Sequence, residues 1–160
     1  MECYMKQTIM NMMVVLMVSM TLIGCGTPVE RIAETKSGKP EVLITTQDKA
    51  KVKTALTENM LYRSYTLDEE TDSRLKFSKL SKGGGDVMLT LMMGNAHSTT
   101  PKVEVQYNLF QKDNGIAVIA NAGASLQMAL GQQKYTDLTQ NNGVFNKIQT
   151  ILNETKQEIE

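Results

Sequence analysis

Few side chains in this chain can do chemistry, and they fall in short stretches. There is one histidine, His97. A nucleophile triad needs a nucleophile, a base and a group that orients the base. Serines are plentiful, but a lone histidine offers a lone imidazole base, and no Gly-x-Ser-x-Gly elbow occurs. His97 sits in Gly94-Asn95-Ala96-His97-Ser98-Thr99-Thr100, the composition of an exposed loop, and is read as an ordinary loop residue. Met88, Met92 and Met93 precede it, and thioether with imidazole suits copper. Strand geometry separates these donors: Met88 and Met92 would share a face but lie about 13 Å apart at ~3.3 Å per residue, while Met93 would point the other way. Zinc would need a second histidine or a free thiol. Gly83-Gly84-Gly85 resembles a phosphate cradle only in composition, because Asp86 and a strand follow instead of a Lys, a Ser or Thr and a helix. Asp68-Glu69-Glu70 with Asp72 lacks the spacing and the glycine of an EF-hand. No catalytic residue, metal site or cofactor is expected, and the chain is not expected to be an enzyme.

The chemistry that remains belongs to Cys25. Lys6 gives a positive start, and Ile9 to Ile23 form an apolar stretch broken only by Asn11, Ser19 and Thr21. At roughly 15 residues that stretch falls short of the ~20 a spanning helix needs. Gly24 is the small residue expected before a signal-peptidase cut. Leu22-Ile23-Gly24-Cys25 resembles a lipobox, the processing site of bacterial lipoproteins. The resemblance covers only about the first 26 residues. It implies thioether lipidation of the Cys25 sulfur, cleavage before Cys25 and acylation of the new amino terminus. Several acyl chains on one residue give stable anchoring, whereas one chain gives marginal binding. In Gram-negative lipoproteins an Asp after the cysteine favours inner-membrane retention, so Gly26 implies the outer membrane, facing the periplasm. Translation from Met5 is as consistent with a signal sequence as translation from Met1, because Glu2 offsets Lys6.

Residues 1–24 are thus expected to be a signal peptide, 25–40 a lipidated cysteine with a flexible tether, and 41–160 a single domain. The tether, mostly polar and closing on Gly38 and Pro40, would span roughly 50 Å fully extended at ~3.3 Å per residue. Its alternative is a leader lying on the domain. Seven of the twelve methionines fall in the signal segment, and both cysteines are removed or lipidated. The domain must therefore fold on an ordinary core without a disulfide. Seventeen basic and seventeen acidic residues balance, which gives no electrostatic case for nucleic acid. Tryptophan is absent, which argues against a sugar-stacking platform.

Val42, Leu43 and Ile44 mark a first strand. Thr45 or Thr46 is expected to cap a helix over about 47–62, where Val52, Leu56 and Met60 form one stripe with Ala55 beside it. Tyr65-Thr66-Leu67 begins a strand, Asp68 to Ser73 reads as a polar turn, and Leu75, Phe77 and Lys79 alternate after it. Val87, Leu89, Leu91 and Met93 alternate beyond the glycines. Val103, Val105, Tyr107 and Leu109 alternate with polar residues, the clearest half-buried strand. Asp113-Asn114-Gly115 is a hairpin signal, and a return strand runs through Ile116, Val118, Ala120 and Ala122. Leu130 to Lys134 reads as a loop. A last helix is expected from about Asp137 to 157, with Val144, Ile148, Ile151, Leu152 and Thr155 as its buried stripe. Gly143 weakens its first turns by up to about 1 kcal/mol relative to Ala. The order predicts an α+β domain: an antiparallel meander of four to five strands with the N-terminal-half helix and the C-terminal helix packed on one face. Ser37-Gly38-Lys39-Pro40-Glu41-Val42, followed by helix and strands, is similar to uncharacterised small envelope lipoproteins over too short a stretch to carry residues across.

The expected function is a non-enzymatic, lipid-anchored envelope protein that binds a protein partner as an accessory to outer-membrane assembly, transport or secretion. Two alternatives share the same signature. One is a binder of a small amphiphile, lipid or metal between sheet and helix. The other is a plasmid- or phage-borne surface-exclusion lipoprotein.

Overall fold

The computed structural model describes residues 29–80, 101–127 and 132–160. Strand β1 (Glu41–Ile44) leads to helix α1 (Lys49–Tyr62), strands β2 (Thr66–Glu70), β3 (Arg74–Leu80), β4 (Lys102–Lys112), β5 (Gly115–Gln127) and β6 (Gln133–Asp137), and helix α2 (Asn142–Ile159). The fold is α+β, as the sequence predicts, with six antiparallel strands where four to five were expected. β2 to β5 form the meander in chain order. β5 is long enough to serve two partners on its outer side: β1 pairs with Ile116–Ile119 and β6 with Gly123–Gln127. β6 is the added strand; it takes Gln133 and Lys134 from the expected loop and Asp137 from the expected start of the last helix. Its polar sequence Gln-Lys-Tyr-Thr-Asp lacks the apolar alternation that marks a strand buried on one face.

Alternation in the central strands decides which face is dry. Leu75 and Phe77 on β3, Val105, Tyr107 and Leu109 on β4, and Val118, Ala120 and Ala122 on β5 are buried together under the helices. The Phe77 and Tyr107 rings meet edge-on at 6.0 Å and 70°, a favourable aromatic geometry. Tyr107 donates its hydroxyl to the Met60 sulfur at 3.2 Å, so the one buried phenol of the core has a partner on α1. Burial raises the Tyr107 pKa well above the usual phenol range, so it stays neutral. α1 buries the expected Val52, Ala55, Leu56 and Met60. α2 buries Val144, Ile148, Ile151, Leu152 and Thr155 as expected, together with Phe145 and Gln149.

The helix ends differ from expectation for local reasons. Asp48, rather than Thr45 or Thr46, caps α1 by accepting from the Lys51 N–H. At the other end Ser64 takes φ 63°, while its N–H reaches Leu61 O and the Tyr65 N–H reaches Met60 O. That is a Schellman closure with Ser where Gly is usual. α2 begins at Asn142 rather than near Asp137. Asp137 ends β6, its carboxylate accepts from the Thr139 N–H, and Asn141 caps the helix through the Val144 N–H. The turn expected over Asp68–Ser73 shrinks, because β2 continues to Glu70. Its acids are each met by a cation: Asp68 by Lys102, Glu69 by Arg74 and Glu70 by Lys53. A bulge between Leu67 and Glu69 accommodates Asp68. In the β4–β5 hairpin Gly115 alone has a positive φ, 146°, and a Cβ there would collide with the Ile44 carbonyl at the end of β1.

Over its described part the segment read as a tether, residues 29–40, lies on the domain, the alternative arrangement that the sequence left open. Arg31 binds the Asn142 side chain at 3.0 Å, the Gly38 carbonyl at 3.2 Å and the Gln140 side chain at 2.7 Å, and stacks 4.6 Å over Phe145. Asn142 and Asn146 of α2 hold the Val29 and Glu30 carbonyls, and Asn146 also accepts from the Ile32 N–H. Composition concealed this because the attachment is made of polar side chains on backbone groups, which carry no hydrophobic period.

Candidate functional site

Two surfaces of the domain carry concavities, one beneath the helices and one on the far face of the sheet. The first follows from unequal helix lengths. α1 and α2 run antiparallel: Lys51 near the start of α1 donates to the Ile159 carbonyl at the end of α2, and Arg63 just past α1 pairs with Glu154. α1 has 14 residues and α2 has 18, so α2 runs on past the end of α1. Over the part of the sheet that α1 does not reach, a cavity of about 360 Å³ opens among the described residues. Val103, Val105 and Ala122 form its floor, and Val144, Ile148 and Ile151 of α2 form one wall. Ala122 keeps the floor low, and Met60 closes the end nearest α1. Arg63, Lys79 and Lys147 stand around it. Lys79 donates to the Arg63 carbonyl at 3.1 Å and lies 5.6 Å from the Tyr65 ring. Lys147 makes no hydrogen bond or ion pair among the described residues.

The second surface is the face of the sheet that no described element covers. Lys76, Glu104, Gln106, Asn121 and Tyr135 surround a shallow depression of about 290 Å³. Glu104 joins Lys76 at 2.9 Å and accepts from Ser125 at 3.0 Å. Burial alone would raise the Glu104 pKa, but those two hydrogen bonds together with the charges of Lys76 and Lys102 outweigh it and hold the carboxyl below its usual range. The same Glu104 bond raises the Lys76 pKa against the effect of burial. Asp68 repeats the pattern nearer the edge: burial raises it, and Ser78 and Lys102 more than reverse that. Lys39 of the leader donates to Asn121 at 2.7 Å. Tyr135 is 57% exposed, and its ring lies so close over Gly123 that any side chain there would strike it. Gly123 is thus a seat for an aromatic ring.

The edges of the sheet are treated unequally. Gln149 accepts from the Glu41 N–H and donates to the Glu41 carbonyl, both at 3.0 Å, so its amide takes the place of a neighbouring strand. Lys156 donates to the Leu43 carbonyl and Glu160 accepts from the Thr45 N–H, both at 2.7 Å. Side chains of α2 therefore close the β1 edge. β2 has no such cover among the described residues; its bulge and charges discourage a further strand.

The residues singled out by sequence fall almost entirely elsewhere. Leu22, Ile23, Gly24 and Cys25, Gly83, Gly84 and Gly85, Met88, Met92, Met93 and His97 all lie outside the described residues, as does the strand expected from Val87 to Met93. The acidic run is described: Asp68, Glu69 and Glu70 sit along β2, and Asp72 in the following turn pairs with Lys49. Among the described residues no three His, Cys, Asp or Glu side chains converge as metal ligands, and no helix is long and apolar enough to cross a membrane. Sequence reasoning missed the cations around the cavity, since Arg63, Lys79 and Lys147 come from three separate parts of the chain. It also missed Tyr135, whose one signal was an aromatic residue in a polar stretch. No protein-family model, curated protein or solved structure matches this chain.

Proposed function

We propose that this chain is a bacterial envelope lipoprotein, anchored through lipid on Cys25, that works as a non-enzymatic binding or assembly accessory at the outer membrane. The observation that carries the binding role is the two-sidedness of the sheet. Both helices pack on one face, and the other is left open by the described residues, with its charges paired around an exposed tyrosine. Such a face suits a protein partner: tyrosine is a preferred anchor at interfaces, and charges held in pairs fix register.

The docked leader changes how the anchor would act. With Val29 bonded to α2, only residues 26–28 separate it from Cys25. Four residue steps span at most about 14 Å at ~3.6 Å each. The domain would sit beside the bilayer instead of reaching far from it, and would meet partners at the membrane surface.

The test is photocrosslinking in living cells from a probe placed at Gln106 or Tyr135 of the full-length protein, with Glu58 on the outer side of α1 as the comparison site. The expected result is one dominant envelope protein captured from the sheet face, little from Glu58, and loss of both capture and palmitate labelling in Cys25→Ala. Equal capture from all three positions, or palmitate labelling that survives Cys25→Ala, would refute the proposal.

A further inference from the structure

We infer that the cavity beneath α2 is a binding site for a single-chain amphiphile with an anionic head, carboxylate or phosphate. This goes beyond the partner-binding role proposed above and uses the opposite face of the sheet.

At about 360 Å³ the cavity stands near the lower end of the ~300–1,000 Å³ typical of small-molecule pockets. That favours one acyl chain over two. Its depth is apolar, with Val103, Val105, Ala122 and Ile148 offering no side-chain group that needs a hydrogen bond. The charged groups of the lining are Arg63, Lys79 and Lys147, with Tyr65 and Thr150 adding hydroxyls. Three cations stand there against one described carboxylate, Glu154, which pairs with Arg63. Lys79 spends one hydrogen on the Arg63 carbonyl and keeps others, and Lys147 is uncommitted among the described residues. A cationic head would be repelled by this arrangement, and an uncharged polar head would leave Lys147 unanswered. An anionic head placed against Lys147 and Lys79 answers the charge while its chain fills the space over Ala122. Arg63 keeps Glu154 and helps hold the Lys79 ammonium in place through its carbonyl.

The test uses full-length protein in phosphatidylcholine vesicles carrying one of three diazirine probes of equal chain length: a palmitate, a lysophosphatidate or a hexadecyltrimethylammonium. Labelled peptides are located by mass spectrometry. The expected result is labelling at residues 103–105 and 148–151 by one or both anionic probes, at least five-fold above the cationic probe. The stronger anion identifies the head as carboxylate or phosphate. Ala122→Leu, which raises the floor, should cut this labelling at least five-fold. Lys147→Glu, an exposed change that leaves the core untouched, should narrow the anion-over-cation preference at least three-fold. Equal labelling by all three probes, labelling absent from the cavity walls, or a preference unmoved by Lys147→Glu would overturn the inference.

Discussion

Lys76 and Phe77 adjoin in β3, yet one points onto the open face of the sheet and the other into the covered one. Phe77 is fully buried, touches Tyr107 edge-on and lies across from Val105. Lys76 lies across from Gln106, pairs with Glu104 and keeps 35% of its side chain in water. Close packing and water exclusion hold the first face. Mutual neutralisation of charges that remain partly wet holds the second. Stability should therefore be concentrated on one side, leaving the other free to serve contact with a partner.

The largest expected effect tests that division directly. Phe77→Ala should cost about 3–5 kcal/mol, the range for removing a buried aromatic from a core. Lys76→Ala should cost only about 0–1 kcal/mol, as for other surface pairs. Urea unfolding of both variants gives the comparison, and similar losses would break it. Next comes the boundary between the faces. Gln149 is 4% exposed and satisfies both backbone groups of Glu41. Gln149→Leu should cost about 1–3 kcal/mol, because a donor and an acceptor are left partly buried without partners. Amide exchange should speed up at Glu41 and stay unchanged in the centre of β4; equal acceleration of both would show that Gln149 acts through the core instead.

These contrasts follow what could be read from the chain. The stripe Val52, Leu56, Met60 and the alternation Val103, Val105, Tyr107, Leu109 are periodic because one side of each element meets a dry core, and both were legible. β6 was not: at its position outside β5 it meets a core on neither face strongly enough to impose a period, and Tyr135 rests on a glycine rather than under a helix. Docking of the leader, left as an alternative, carries no periodic signature either, since Arg31 makes its four hydrogen bonds to three residues, Gly38, Gln140 and Asn142, the last two more than one hundred positions away. The cavity arises because α1 closes at Ser64 while α2 runs back to its cap at Asn141. Neither end has a counterpart in hydrophobic pattern. The expected lipobox, by contrast, is a local resemblance that calls on no fold, and it lies outside the described residues.

Arg31 offers the third test. Arg31→Ala removes a cation stacked on Phe145 and the polar bonds that hold the leader, and should weaken docking by about 1 kcal/mol. Trypsin should then cut faster after Lys36 while the melting temperature hardly moves. A large fall in melting temperature would instead make the leader part of the cooperative fold.

The smallest effect is the most diagnostic of the open face. Glu104 is held below its usual pKa although burial opposes this, because Lys76 and Ser125 bind the ionised form. A folded-state value below the unfolded one means the contribution is present above the unfolded pKa of about 4.3 and is lost as pH falls through the folded value. Glu104→Gln should therefore cost about 0.5–1 kcal/mol at neutral pH, discounted for the solvent that reaches Lys76. The difference between parent and variant should stay constant above about pH 5 and shrink toward zero below about pH 4. Phe77→Ala, whose loss is one of packing, should show no such closing of the gap on acidification. If the Glu104→Gln deficit persisted unchanged into acid, the side chain would be serving by shape rather than by charge. The open face would then be held by the same physics as the covered one.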